Sequence, residues 1–389
     1  MKIEFLLSYI FFSGLSFAQS YQECLDSLYS ENYGTKIFAI ECINDFKPDG
    51  AVDVLIELME EQQPFLQIQF LNALYSLEYE NVETEAYELI SRADDFDDDP
   101  EYPWDPLDAK VFATAILVYK GDYTTIDYVF DMLSQNSEDA LSFRLLPYIM
   151  DNVPSFEQEA KNILITKLDD VDEYFRYYAL LHLADKYGEE MNSELIDKFV
   201  NDSDLPTRKL ALEYLFINNY SELNSLLKQQ LELEQEPSLR IDIADSLLQK
   251  FGEPSDLKAV KDYQPNEPDE TARSLMSYSI DEFIPPKPAS LNLLGKVTKL
   301  ISYVSEMYTY QWIANTQTRD YYITKLNLLK SQIESGRYQD ACKTVNNDLL
   351  ARIETDLAAS NITTEGYKFL HYYCVYIKED FPQGLQHCP

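Results

Sequence analysis

Asp172-Glu173-Tyr174-Phe175-Arg176-Tyr177-Tyr178-Ala179-Leu180 returns 32 residues later as Asp204-Leu205-Pro206-Thr207-Arg208-Lys209-Leu210-Ala211-Leu212. Both read D-x-x-x-R-x-x-A-L, and the arginine keeps the same interval across Arg144, Arg176, Arg208 and Arg240. Leu183, Leu215 and Leu247 keep it too, as do Ile163, Leu195 and Leu227, and Tyr187-Gly188 and Phe251-Gly252 fall two periods apart. A helical period of this size predicts stacked helix pairs, each too small to bury its own apolar face and stabilised by its neighbours. Asp172, Asp204 and Glu236 stand four residues before an arginine. That spacing predicts a carboxylate that reaches the guanidinium and also meets the positive end of the helix dipole. Pro206 falls in a first turn, where its missing N–H costs nothing.

Outward from this stretch the pattern fades, but residues 53–79 and 107–133 still have the spacing of degenerate helix pairs. Only 10 glycines occur, and apolar residues recur at helical rather than alternating intervals, so the chain is expected to be all-α. From Ala140 to Tyr263 the motif resembles the start of HEAT-like repeats. The resemblance implies an alpha-alpha superhelix and, more weakly, a binding role. Two uses of the arginine ladder follow: a tie between neighbouring repeats, which is favoured, or an anion-binding stripe. After Ile284-Pro285-Pro286-Lys287-Pro288, whose prolines stop a helix, come four apolar stripes. These are Leu294, Val297, Ile301, Val304; Tyr322, Leu326, Leu329, Ile333; Ala341, Val345, Leu349, Ile353, Leu357; and Phe369, Tyr373, Tyr376, Ile377. They predict a small helical bundle. Lys325-Leu326-Asn327 through Ser335-Gly336-Arg337, followed by Ala341-Cys342 and a long helix, resembles the FIMAH-type domain of secreted bacterial proteins, which implies an accessory module at a cell surface. The expected divisions are 1–18 signal peptide, 19–47 disulfide-linked helical cap, 48–283 repeat solenoid, 284–289 linker and 290–389 bundle.

Charge sharpens the boundary. The chain carries 68 acidic and 31 basic residues, a net charge of −37. From Ser290 onward there are 10 of each, so the excess lies entirely earlier. Such a field repels phosphate backbones, and nucleic acid is excluded as a partner. Lys2, the apolar run Phe5–Phe12 and Ser16-Phe17-Ala18 have the form of a cleavable signal. The run is too short to span a bilayer, which takes about 20 residues. No cysteine follows the cut directly, so the product is expected to be exported, periplasmic or extracellular, without a lipid anchor or membrane insertion.

Export favours disulfides. A hairpin turning at Tyr33-Gly34 places Cys24 level with Cys42. At 1.5 Å per residue, Cys374 falls too low on its hairpin for Cys342, so Cys388, on a tail that folds back, is the expected partner and Cys374 the free thiol. A zinc set of His371, Cys374, His387 and Cys388 is the weaker alternative, because adjacent His387-Cys388 chelates poorly. Asp95, Asp97 and Asp99 alternate as calcium ligands do. Pro100 and Pro106, however, occupy the places of an EF-hand's turn glycine and bidentate glutamate, so a solvated loop is the better reading and calcium a weak one. Catalysis has little support. Histidine occurs only at 182, 371 and 387, and no H-E-x-x-H, G-x-S-x-G or phosphate loop is present. His182 reads as a packed residue of a repeat helix. Tyr303, Tyr308, Tyr310, Trp312, Tyr321 and Tyr322 form either the bundle core and its seam or a sugar-stacking or interface platform, with the core favoured. No cofactor is expected. The expected function is a non-catalytic exported scaffold whose acidic repeat surface binds a protein or peptide, a basic one by charge. The alternative is a helical enzyme or carbohydrate-binding accessory protein of the cell envelope.

Overall fold

A computed structural model describes residues 21–59, 62, 64–95 and 106–385. The signal segment 1–18, the calcium candidates Asp97 and Asp99, and His387 and Cys388 lie outside the described residues. Within them the fold is all-α, with no strand and one isolated bridge, Ile313 to Ile362. The chain forms two compact units, which divide between Lys186 and Tyr187.

The first unit runs through α1 (Tyr21–Ser27), α2 (Tyr33–Phe46), α3 (Ala51–Met59), α4 (Pro64–Ser76), α5 (Val82–Arg92), α6 (Pro106–Lys120), α7 (Asp127–Gln135), α8 (Ala140–Asn152), α9 (Glu157–Lys167) and α10 (Glu173–Tyr187). Sequence neighbours pack as antiparallel pairs. In addition α2, α4, α6 and α8 touch in succession, so alternate helices form a row. Their apolar faces make the core, with Leu55, Phe70, Leu71, Leu74, Leu89 and Leu117 fully enclosed. Cys24 and Cys42 are disulfide-bonded across α1 and α2, with a Cα separation of 6.0 Å. The turn between these helices lies at 28–32 rather than at Tyr33-Gly34. Asn32 moves it, because its side chain accepts from the Thr35 N–H at 3.0 Å and starts α2 there.

The second unit continues with α11 (Asn192–Asn201), α12 (Leu205–Ile217), α13 (Leu223–Leu233), α14 (Pro237–Ser246), α15 (Pro254–Tyr263) and α16 (Glu270–Glu282). It closes with α17 (Leu293–Thr309), α18 (Thr316–Glu334), α19 (Tyr338–Lys343), α20 (Ala351–Ala358) and α21 (Thr364–Glu379). The third bundle stripe is not one helix, since a π-helical stretch, Thr344–Leu350, joins α19 to α20. Residues 284–289 are non-helical and lie inside this unit. The Tyr376 hydroxyl donates to the Pro285 carbonyl at 2.7 Å, Lys287 pairs with Glu379 at 2.8 Å, and the Lys368 ammonium caps the carbonyls of Ile280 and Asp281 that end α16. Burial lowers the pKa of Lys368 despite the acids around it. Lys299 pairs with Glu253 at 2.6 Å, tying α17 to the start of α15. The charge step in the sequence therefore marks a change of composition inside one packed unit.

Candidate functional site

The arginine ladder is built from the helix starts upward. Asp204 accepts from the backbone and hydroxyl of Thr207 at 2.9 and 2.7 Å, and Asp172 accepts from the Tyr174 N–H at 2.8 Å. None of Asp172, Asp204 and Glu236 pairs with the arginine four residues on. At Asp172 and Asp204 the expected i,i+4 bridge is replaced because an N-cap carboxylate is held by the orphan N–H groups of its own helix, whereas Glu236 makes no side-chain cap. The guanidinium turns to a neighbour instead. Arg208 grips Glu234 with two nitrogens, and Arg240 grips Glu267 at 2.6 and 2.5 Å. Each pair joins one repeat to the loop that opens a later one. Arg144 has no such acid and donates through Nε to the Tyr174 hydroxyl.

A second acidic register, two residues before each cap, was not read in the sequence. Asp170, Asp202, Glu234 and Glu267 accept the N–H of Asp172, Asp204, Glu236 and Asp269 at 2.8–3.0 Å. Arg273 adds a further rung, donating to the Glu267 carbonyl at 2.8 and 2.6 Å. It stands 33 rather than 32 residues after Arg240, and this one-residue slip hid it. Burial alone would raise the carboxyls of Glu234 and Glu267. The guanidinium and backbone hydrogen bonds outweigh it and hold both below the usual carboxylate range.

Among the described residues two surfaces are candidates for ligands. In the second unit α12 and α14 flank an open groove of about 480 Å³, lined among others by Leu212, Glu213, Phe216, Ile217, Asp242 and Asp245. Ile217 is 59 % exposed. Lys209 and Asp242 pair across the groove at 2.8 Å, both side chains more than two-fifths exposed, so a competing charge reaches either one. In the first unit Tyr119, Tyr148 and Tyr178, on α6, α8 and α10, lie by Arg144, and Tyr75 on α4 lies next to Tyr119 and Tyr148. Tyr119 and Tyr148 meet edge-to-face at 5.0 Å. The Arg144 guanidinium lies 5.3 Å from the centre of the Tyr174 ring, and His182 packs 4.3 Å from that of Tyr178. Burial, with the neighbouring phenols Tyr148 and Tyr75, pushes Tyr119 up to about 12, and Arg144 offsets part of this. Burial likewise lowers His182 against the pull of Asp185 and Asp151.

The other sequence candidates are separate from these surfaces. Tyr303, Trp312 and Tyr322 are buried, so they fill the bundle core. Trp312 stacks on Phe369 at 6.2 Å, and Tyr322 donates to the buried Asp356 at 2.9 Å. Tyr308, Tyr310 and Tyr321 are half-buried. Cys374 is a buried free thiol, pushed up to about 12 by desolvation. Cys342 is disulfide-bonded, and the expected partner Cys388 lies outside the described residues. His371 faces Glu354 at 3.5 Å and stacks on Tyr367. Among the described residues no three metal-ligating side chains converge. Asp95 ends a short 3₁₀ turn after α5, in which Asp94 pairs with Lys110 at 2.6 Å. No described helix is long and apolar enough to cross a membrane. No protein-family model matches the chain, and no curated protein matches it.

Proposed function

We propose that the chain is an exported, non-catalytic binding protein of HEAT-like repeats, with a FIMAH-like accessory bundle, that takes a basic, partly apolar protein segment between α12 and α14. The groove carries this reading. It joins two neighbouring repeats, is open rather than enclosed, and sets exposed Ile217 beside Glu213, Asp242 and Asp245. Apolar contact there supplies affinity. The acid excess, all of it before Ser290, steers a cationic partner and acts mainly on the association rate. The buried Arg208–Glu234 and Arg240–Glu267 pairs join repeats, which leaves the exposed acids for recognition.

The test is a titration of the full chain with an amphipathic Lys/Leu helical peptide and with its Glu/Leu counterpart. The Lys/Leu peptide is expected to bind with an association rate that falls as salt rises, screened beyond about 8 Å at physiological ionic strength. Glu213→Lys with Asp242→Lys is expected to weaken it about tenfold or more. Equal binding of both peptides, or no effect of the double substitution, overturns the reading.

A further inference from the structure

A guanidinium in an acidic protein ordinarily finds a carboxylate. In the first unit Arg176 reaches the carbonyls of Asp170 and Val171 beside the acids of its own loop, and Lys186 holds Asp151 at 2.9 Å. Arg144 has neither a carbonyl nor a carboxylate against its guanidinium among the described residues. Its Nε donates to the Tyr174 hydroxyl, it makes no ion pair among the described residues, and its two terminal nitrogens have no acceptor there. Neither terminal nitrogen belongs to the buried unsatisfied atoms, so both are open to solvent. The planar fork is held in place all the same. Tyr174 lies against it, and the Tyr178 hydroxyl, donating to the Arg144 carbonyl at 3.0 Å, ties α10 to that turn of α8. An arginine held in this way, with two parallel N–H donors free, has the geometry for one carboxylate in bidentate contact.

What surrounds the fork narrows the ligand. Tyr75, Tyr119 and Tyr148 come from three successive helices of the row, are half-buried, and their hydroxyls have no partner among the described residues. The site thus combines ring faces, open phenol hydroxyls and the fixed Arg144 fork, with the Lys120 ammonium 5.8 Å from the centre of the Tyr75 ring. Ring faces pack against the C–H face of a pyranose, phenols bond its hydroxyls, and the fork takes its acid group. A polyanion fits poorly, because the net charge of −37 opposes it.

We propose that Arg144 with Tyr75, Tyr119 and Tyr148 forms a binding site for a sugar carrying a single carboxylate, a uronic acid residue. This site lies in the first unit and is independent of the groove between α12 and α14. It is tested on the full chain by ligand-observed NMR and calorimetry with glucuronate, glucose and benzoate. Glucuronate is expected to bind saturably and at least tenfold more tightly than either other probe. Arg144→Gln is expected to bring glucuronate down to the level of glucose. Arg144→Lys keeps the charge without the fork and is expected to restore only part of the preference. Tyr148→Ala is expected to weaken both sugars, with an unchanged circular dichroism spectrum as the check on folding. Equal binding of glucose and glucuronate, tighter binding of benzoate, no saturable binding, or an Arg144→Gln variant that keeps its preference overturns the proposal.

Discussion

At the scale of single residues, the second unit is held by charges removed from water. Arg240 and Glu267 are 3 % and 0 % exposed, and every polar atom named in their contact is satisfied by the other, by a carbonyl or by the Asp269 N–H. A pair of this kind gains little over an apolar pair of equal volume, but halving it strands a buried charge. Glu267→Ala is therefore expected to cost about 3–5 kcal/mol in urea unfolding of the second unit, whereas Arg240→Met with Glu267→Leu costs much less. A double variant as unstable as the single one would show that the pair contributes by itself. The pH dependence has a definite sign. Glu234 and Glu267 have depressed folded values, so their contribution is complete above the unfolded glutamate value of about 4.3 and is lost as pH falls through the folded values. Acid unfolding of this unit is expected to shift to higher pH in Arg240→Met. The sequence showed the arginines plainly but not their partners. Glu234 and Glu267 lie 26 and 27 residues ahead, at a spacing no local rule singles out among so many acids.

At the scale of elements, α10, α12 and α16 begin with the same pair of devices. One acid caps the helix and another, two residues earlier, accepts the N–H of the capping residue. Asp269 shows the pair on α16, accepting from Ala272 at 2.8 Å while Glu267 accepts from Asp269. Asp269→Ala is expected to cost about 1 kcal/mol, and Asp269→Asn much less, since an amide oxygen still caps. The end of the α14 segment is set differently. Gly252 has φ +59°, and a Cβ there would lie 2.1 Å from Cδ of Pro286 and 2.8 Å from the Leu248 carbonyl. Gly252→Ala combines backbone strain with a clash against the 284–289 segment, and a loss above about 2 kcal/mol is expected on thermal unfolding. A neutral result would mean that this segment is free to move off the helix end. From the sequence, the Phe251-Gly252 stop was legible because glycine relieves the left-handed turn. The packing of Pro286 on it was not, since residues 34 apart in the chain meet there.

At the scale of the molecule, two compact units imply two cooperative transitions. The Cys24–Cys42 bridge closes a loop of 18 residues and restrains only the first. Removing it as Cys24→Ala with Cys42→Ala is expected to cost that unit about 3 kcal/mol through loop-closure entropy. Hydrogen exchange followed by mass spectrometry is expected to show faster global opening in residues before 187 and no change after it. A uniform change across both would mean that the units unfold together. The disulfide itself was readable, because two short helices joined by a tight turn leave few ways to place two thiols side by side. The division between Lys186 and Tyr187 was not. The 32-residue period runs across it without interruption, and the composition changes about a hundred residues later.

Periodicity, charge and cysteine position by themselves determined the helical class, the repeat start and stop signals, the first disulfide and the buried stripes of the bundle. Each depends on a local rule: 3.6 residues per turn, glycine at a left-handed stop, or a helix end that needs an acceptor. The tertiary structure alone decided which acids Arg208 and Arg240 meet, that Arg144 meets none among the described residues, and which tyrosines gather near it. Those outcomes depend on the lateral spacing of helices far apart in the chain. Tyr75 and Tyr148 are 73 residues apart and approach only because α4, α6 and α8 stand in one row.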